Sequence, residues 1–210
     1  WQAELGRRGQ AVVGRRIKQA LGGATAWVLI GGPPCQAYSL VGRSRMQSRS
    51  NPEFEKDERH FLYREYLRIV ASHRPAVFLM ENVKGLLSAT HGGKRIFTRI
   101  LADLHEPGRA LRMSTRMGLR YRLFPVAQPS QDSLASRRRW IPDPESLVVR
   151  AEEHGVPQAR HRVFVLGLRE DLEVPPEKLH RAGPVSLSKV LGDLPRLRST
   201  LSRGDDSLEA

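Results

Sequence analysis

Two short runs of apolar residues, each preceded by a segment of helical period, constrain this chain more than any other feature of it. VVGRRIKQAL, residues 12–21, places apolar side chains at 12, 13, 17, 20 and 21, the spacing of one helix face, and Gly22-Gly23 supplies a stop. AWVLI, residues 26–30, follows at once. It is short, wholly apolar and ends at Gly31-Gly32, which predicts a strand buried in a parallel sheet. The pair then recurs: residues 59–73 carry apolar side chains at 61, 62, 66, 69 and 70, and PAVFLMENV, 75–83, predicts a second buried strand that runs into polar residues. Helix then strand, twice over, is the pattern of an α/β sheet.

Further along, the period predicts a helix over 94–104, a strand over 121–126 and another over 162–169, with SLVVRA, 146–151, as a short strand between them. Residues 128–145 have neither period, and their Pro, Ser and Arg content predicts a long solvated loop. Beyond Pro175 comes a short helix capped by Ser186, then a charged, Ser-rich tail expected to be disordered. The expected division is therefore a body over 1–174 and a tail over 175–210.

Open parallel sheets bind ligands beyond the carboxyl ends of their strands. Cys35 follows the first predicted strand, Glu81-Asn82 ends the second, and VPQARHR precedes the last, so all three are expected on one rim. Cys35 is the one cysteine among 210 residues, which excludes an internal disulfide, and no histidine cluster stands at metal-ligand spacing. Packing or chemistry must account for it. Its loop, GGPPCQAYS, is stiffened by prolines, and nearby arginines favour the ionised thiol. Glu81 stands where a buried strand meets solvent, a setting that can raise a carboxyl pKa and let it give up a proton near neutrality. Asn82 is open to a second reading, as the cap of a helix over VKGLL. Arg160 and Arg162, two apart, share one side if that stretch is extended.

Lys plus Arg number 35 against 22 Asp plus Glu, a net charge of +13, and arginine's planar fork suits phosphate and guanine edges, so a polyanion is the expected partner. No run of 18 apolar residues occurs and the first ten residues have no signal-peptide pattern, so a soluble protein of the cytosol is expected, with no membrane partner.

Taken together and in order, GGPPCQAYS, FLMENVKGLL and GVPQARHRVFVLG resemble the Pro-Cys-Gln, Glu-Asn-Val and Gln-x-Arg-x-Arg motifs of the cytosine C5 DNA methyltransferases, over residues 26–168. The resemblance implies a Rossmann-like, S-adenosylmethionine-dependent methyltransferase fold: an α/β, mostly parallel sheet with flanking helices, incomplete at both ends. It implies that Cys35 adds to C6 of a flipped-out cytosine so that C5 can take a methyl group. It makes Glu81 the partner of the N3 and N4 edge, Arg160 a contact to the cytosine, and Arg162 a holder of the catalytic loop or of its phosphate contact. Gln36, Ser39 and Asn82 become substrate-side residues, with Asn82 tying the loop backbone and Ser39 meeting a phosphate. Pro34 and Leu62 line the pocket of S-adenosylmethionine. Double-stranded DNA is the implied partner and a monomer the implied state.

The family's glycine-rich cofactor loop and its acidic residues have no counterpart in residues 1–25, and its target-recognition region is expected after the last motif. Full cofactor binding by these residues alone is therefore not expected. Two other readings stay open: methylation of cytosine in tRNA, and a non-catalytic DNA-binding or regulatory relative. The intact Cys, Glu and Arg set argues against the second, since a binder needs no thiol.

Overall fold

The computed structural model describes residues 9–33, 63–91, 94–113, 118–127, 141–173 and 176–194. Helix α1 (Gln10–Leu21) stops at the glycine pair as the sequence requires: Gly22 and Gly23 have φ of 54° and 87°, and the Gly22 N–H bonds the Lys18 carbonyl at 3.2 Å. That left-handed region suits glycine because it has no Cβ. Strand β1 (Val28–Gly31) and helix α2 (Tyr63–His73) follow, then strand β2 (Val77–Val83) and a single 3-10 turn at Lys84–Ser88. A small hairpin, β3 (Thr90–His91) with β4 (Lys94–Arg95), leads into helix α3 (Ile96–His105) and the one-turn helix α4 (Pro107–Ala110). Strand β5 (Tyr121–Phe124), strand β6 (Val148–Arg150), strand β7 (His161–Arg169) and the short helix α5 (Leu187–Leu191) complete the order, with Ser186 capping α5 as expected.

The α/β class holds, and the sheet is mixed. β1 pairs with β2 in parallel, whereas β7 pairs antiparallel with β2 on one edge and with β5 and β6 on the other. Four strands thus run one way and β7 alone runs against its neighbours, so the sheet is mostly of one direction, as expected, with β7 the exception. The reason is the connection. No crossover helix separates β6 from β7, and a short turn joins antiparallel strands only.

The core lies on the face of β2 that carries Phe78, Met80 and Asn82. Tyr66, Leu67 and Val70 of α2, and Phe97, Ile100, Leu101 and Leu104 of α3, pack there with Tyr121 of β5 and with Val163 and Val165 of β7. Phe78 is fully buried, with the Tyr66 ring edge-on at 6.1 Å and the Tyr121 ring at 5.0 Å. Burial of a side chain of this size is worth about 1.5–3 kcal/mol. The two tyrosines keep their hydroxyls satisfied: Tyr121 donates to the Pro75 carbonyl at 2.8 Å and Tyr66 to that of Leu29 at 3.4 Å.

Other expectations shift in detail. The first predicted strand is not buried on both faces: β1 ends the strand order among the described residues, with Val28 and Ile30 exposed. In α2 the buried residues are Tyr63, Tyr66, Leu67, Val70 and Ala71, and Ile69 is only half-buried. The third predicted helix begins at Ile96, because Lys94 and Arg95 pair in the small hairpin. Pro144–Leu147 is a 3-10 turn capped by Asp143, so the long loop closes earlier than its composition suggests. Among the described residues no helix is long and apolar enough to cross a membrane.

Two stability tests follow from this packing. A Cβ on Gly167 would lie 2.2 Å from the Phe78 ring, so Gly167→Ala is expected to destabilise by about 1–3 kcal/mol through overpacking, read as a lowered thermal midpoint. A raised midpoint would contradict the Phe78–Gly167 fit. His73 packs against Gly14 of α1, and burial, aided by repulsion from Lys18, lowers its pKa from the ordinary 6.5. The folded state therefore binds fewer protons than the unfolded one below that value, so this contribution is complete above about pH 6.5 and is lost as pH falls through the window beneath it. His73→Gln should flatten that part of the stability profile in thermal melts from pH 7.5 to 5.

Candidate active site

Alternation along β2 sorts its polar end. Asn82 points with Phe78 and Met80 into the core and is 5% exposed, while Glu81 lies on the opposite, half-buried face with Leu79 and Val83. A buried amide is costly unless its bonds are made. Asn82 makes them at both ends: Nδ2 donates to the Pro33 carbonyl at 3.0 Å, and Oδ1 accepts the Val83 N–H at 2.9 Å. The amide thus grips the backbone just after β1, two positions before Cys35. Asn82 is a strand residue, so the alternative reading of it as a helix cap fails: the 3-10 turn has Val83 as its cap and receives no side-chain cap bond.

Glu81 meets Arg162 through the strand register. Val83 stands opposite Arg162 and Glu81 opposite Phe164, so Glu81 and Arg162 share a face on neighbouring strands. Arg162 Nε lies 3.1 Å from Glu81 Oε1, and Arg162 also donates through a terminal nitrogen to the His161 carbonyl at 2.7 Å. The two side chains are 23% and 38% exposed, so the pair is worth no more than about 1 kcal/mol, and little is lost when the carboxylate takes another partner.

Arg160 is exposed. Its own N–H bonds the Gln158 carbonyl at 2.8 Å, a tight turn, so the extended spacing expected for the two arginines begins only at His161. The structure therefore brings together the Pro33 carbonyl, Glu81, Asn82 and Arg162, with Arg160 two residues along the chain. Cys35, Pro34, Gln36, Ser39 and Leu62 lie outside the described residues.

The glycine pair is part of this site as well as a strand end. A Cβ on Gly31 would lie 2.7 Å from the Tyr66 ring, and one on Gly32 would lie 2.9 Å from Glu81 Oε2. Gly32 therefore leaves room for the carboxylate. The signal was present in two successive glycines at the end of a strand that faces a ligand edge.

The sequence profile of the C-5 cytosine-specific DNA methylases matches residues 16–116 and 143–206. Among curated relatives, the Type II methyltransferase M.Bpa9945I of Bacillus paralicheniformis is 34% identical over 176 residues, covering 81% of this chain and 33% of that protein. The Type II methyltransferase M.BspRI of Lysinibacillus sphaericus is 29% identical over 188 residues, 86% of this chain and again 33% of its own length. The chain thus spans about a third of the curated relatives it matches. A solved E. coli structure, named as a DNA modification methyltransferase encoded within a prophage, aligns with a TM-score of 0.54 at 21% identity, over 93% of this chain and 42% of that one. That likeness concerns the fold.

The two glycines should respond differently to the same change. Gly31→Ala is expected to cost about 1–3 kcal/mol, because the ring it meets is buried among core side chains. Gly32→Ala should stay within about 0.5 kcal/mol of the parent, since the atom it meets is the free end of Glu81, which can swing aside. Thermal melts of the two variants check this, and equal losses would contradict the assignment of Gly32 to the carboxylate.

Proposed function

The chain belongs to the C-5 cytosine-specific DNA methylase family, and on that premise we propose that the protein transfers a methyl group to C5 of cytosine in double-stranded DNA through a covalent Cys35 adduct. The observation that carries the reading is the pairing of two anchors at one strand end. Asn82 holds the backbone that leads into Cys35, and on the neighbouring position Glu81 stands on the opposite face with a partner it can exchange. A nucleophile loop and a base-binding carboxylate are thereby referenced to the same strand.

The chemistry assigned to the residues is as follows. Cys35, as thiolate, adds to C6 of the extruded base; the C5–C6 π pair moves into C4–C5 and the C4–N3 π pair to N3, which takes a proton, leaving an enamine whose C5 is nucleophilic. Glu81 serves that edge, accepting from the N4 amino group and holding the N3 proton. After methyl transfer a base removes the C5 proton, the C5–C6 double bond re-forms and the Cys35 thiolate leaves. Arg160 contacts the cytosine, Arg162 steadies Glu81 and the catalytic loop, and Gln36 and Ser39 act on the substrate side.

Membership implies S-adenosylmethionine as the methyl donor, which supplies an electrophilic methyl group when bound. Gly31 and Gly32 offer it no cradle, since the space beside Gly31 is filled by the Tyr66 ring and that beside Gly32 by Glu81. Pro34 and Leu62 are its proposed neighbours. The net charge of +13 suits a DNA backbone, whose neutralisation releases counterions. A monomer acting in the cytosol belongs to the same proposal.

The test uses the full-length protein, S-adenosylmethionine and duplex oligonucleotides carrying 5-fluorocytosine. Fluorine at C5 leaves no proton to remove, so the thioether should persist through denaturing electrophoresis, with peptide mapping placing it on Cys35. Cys35→Ser should abolish both the adduct and methyl transfer while DNA binding stays close to that of the parent. A DNA adduct on another residue, or unaltered turnover by Cys35→Ser, would overturn the assignment. Trapping on fluorinated tRNA alone would move the substrate to RNA, and binding without trapping would mark a non-catalytic relative.

A further inference from the structure

The turn that joins β6 to β7 is fastened by three consecutive side chains. Glu152 Oε1 lies 2.7 Å from His161 Nε2, at the start of β7. Glu153 pairs with Arg150 of β6 at 3.3 Å and with Arg181 at 3.2 Å, and its carbonyl accepts the Ala182 N–H at 2.9 Å. The Nδ1 of His154 bonds the His180 carbonyl at 2.7 Å. The stretch 179–182 lies across the turn and is tied at its other end by Leu179, whose N–H donates to the Val126 carbonyl at 2.7 Å.

One of these ties, Glu152 to His161, reaches the residue beside Arg162. The His161 imidazole is fixed by Glu152, and the His161 carbonyl is the acceptor for the Arg162 guanidinium, which in turn sits on Glu81. Contacts therefore run without a break from Glu152 through His161 and Arg162 to Glu81. Side chains alternate along β7, so His161 and Arg162 point to opposite faces, and a grip on the first sets the strand's rotation at the second. Glu152 Oε2 is out of solvent contact and has no partner among the described residues, so its own backbone N–H and His161 orient the carboxylate.

We infer that Glu152, acting through His161, is a positioning residue that holds the Arg162 guanidinium against Glu81. The inference rests on the function proposed above. Glu152 touches no substrate; its loss lets β7 rotate at Arg162 and loosens the carboxylate that meets the base. A misplacement on the order of 1 Å at such a group can cost up to about a hundredfold in rate.

The test measures kcat and the KM for DNA in the full-length protein. Glu152→Ala should lower kcat about tenfold with KM for DNA changed less than about twofold. Glu152→Gln should restore most of the rate, because an amide oxygen still accepts from imidazole N–H. His161→Gln should match Glu152→Ala, and the double variant Glu152→Ala with His161→Gln should be no worse than either single change. Should Glu152→Ala fail to fold, His161→Gln carries the same expectation. A parental kcat in folded Glu152→Ala, or losses that add in the double variant without rescue by glutamine, would overturn the inference. Absence of cytosine methylation by the parent protein would instead overturn the functional reading, so the two failures are distinguishable.

Discussion

Seven residue pairs join β2 to β7, from Val77 opposite Leu168 to Val83 opposite Arg162, and the register of that ladder decides which side chains meet at the rim. A slip of one residue would exchange the faces, sending Glu81 into the core and Asn82 out of it. The register is fixed by shape: the Phe78 ring occupies the space a side chain would take on its partner Gly167, between Tyr66 and Tyr121. A hydrophobic fit deep in the sheet thus sets the positions of polar groups at its end.

The polar groups themselves add little to stability, and that suits their use. The half-exposed Glu81–Arg162 pair is cheap to open, whereas the buried Asn82 amide is costly to strip of its partners, on the order of 1–3 kcal/mol for a lost bond. One strand end therefore carries both a firm anchor, which references the backbone ahead of Cys35, and an adaptable carboxylate. Glycine at 32 keeps the carboxylate's space clear.

Much of this was legible in the sequence because the relevant signals are local. The apolar runs gave β1 and β2, the glycine pair gave the end of α1, and the order of three motifs singled out Glu81, Asn82 and Arg162, which the structure gathers at one strand end. What escaped depends on pairing distant in the chain or on turns that carry no period. Antiparallel pairing of β7 with β2 joins residues 79 to 91 apart, and the apolar pattern of a buried strand carries no direction. Arg160 and Arg162 share one side only if that stretch is extended, and Arg160 instead ends a turn from Gln158 just before the strand begins. The tie from Glu152 to His161 closes a loop whose residues, EEH and ARH, have no periodic signature.

The central claim is that β2 presents Glu81 to a cytosine while its neighbour Asn82 holds the loop that carries Cys35. A crystal structure of the full-length protein on duplex DNA containing its target site tests it most directly. The account predicts an extruded cytosine with its N3 and N4 edge about 3 Å from the Glu81 carboxylate, Cys35 Sγ at C6, and the Asn82 to Pro33 bond intact. A base held elsewhere, or Cys35 Sγ enclosed in the core away from Glu81, would contradict it.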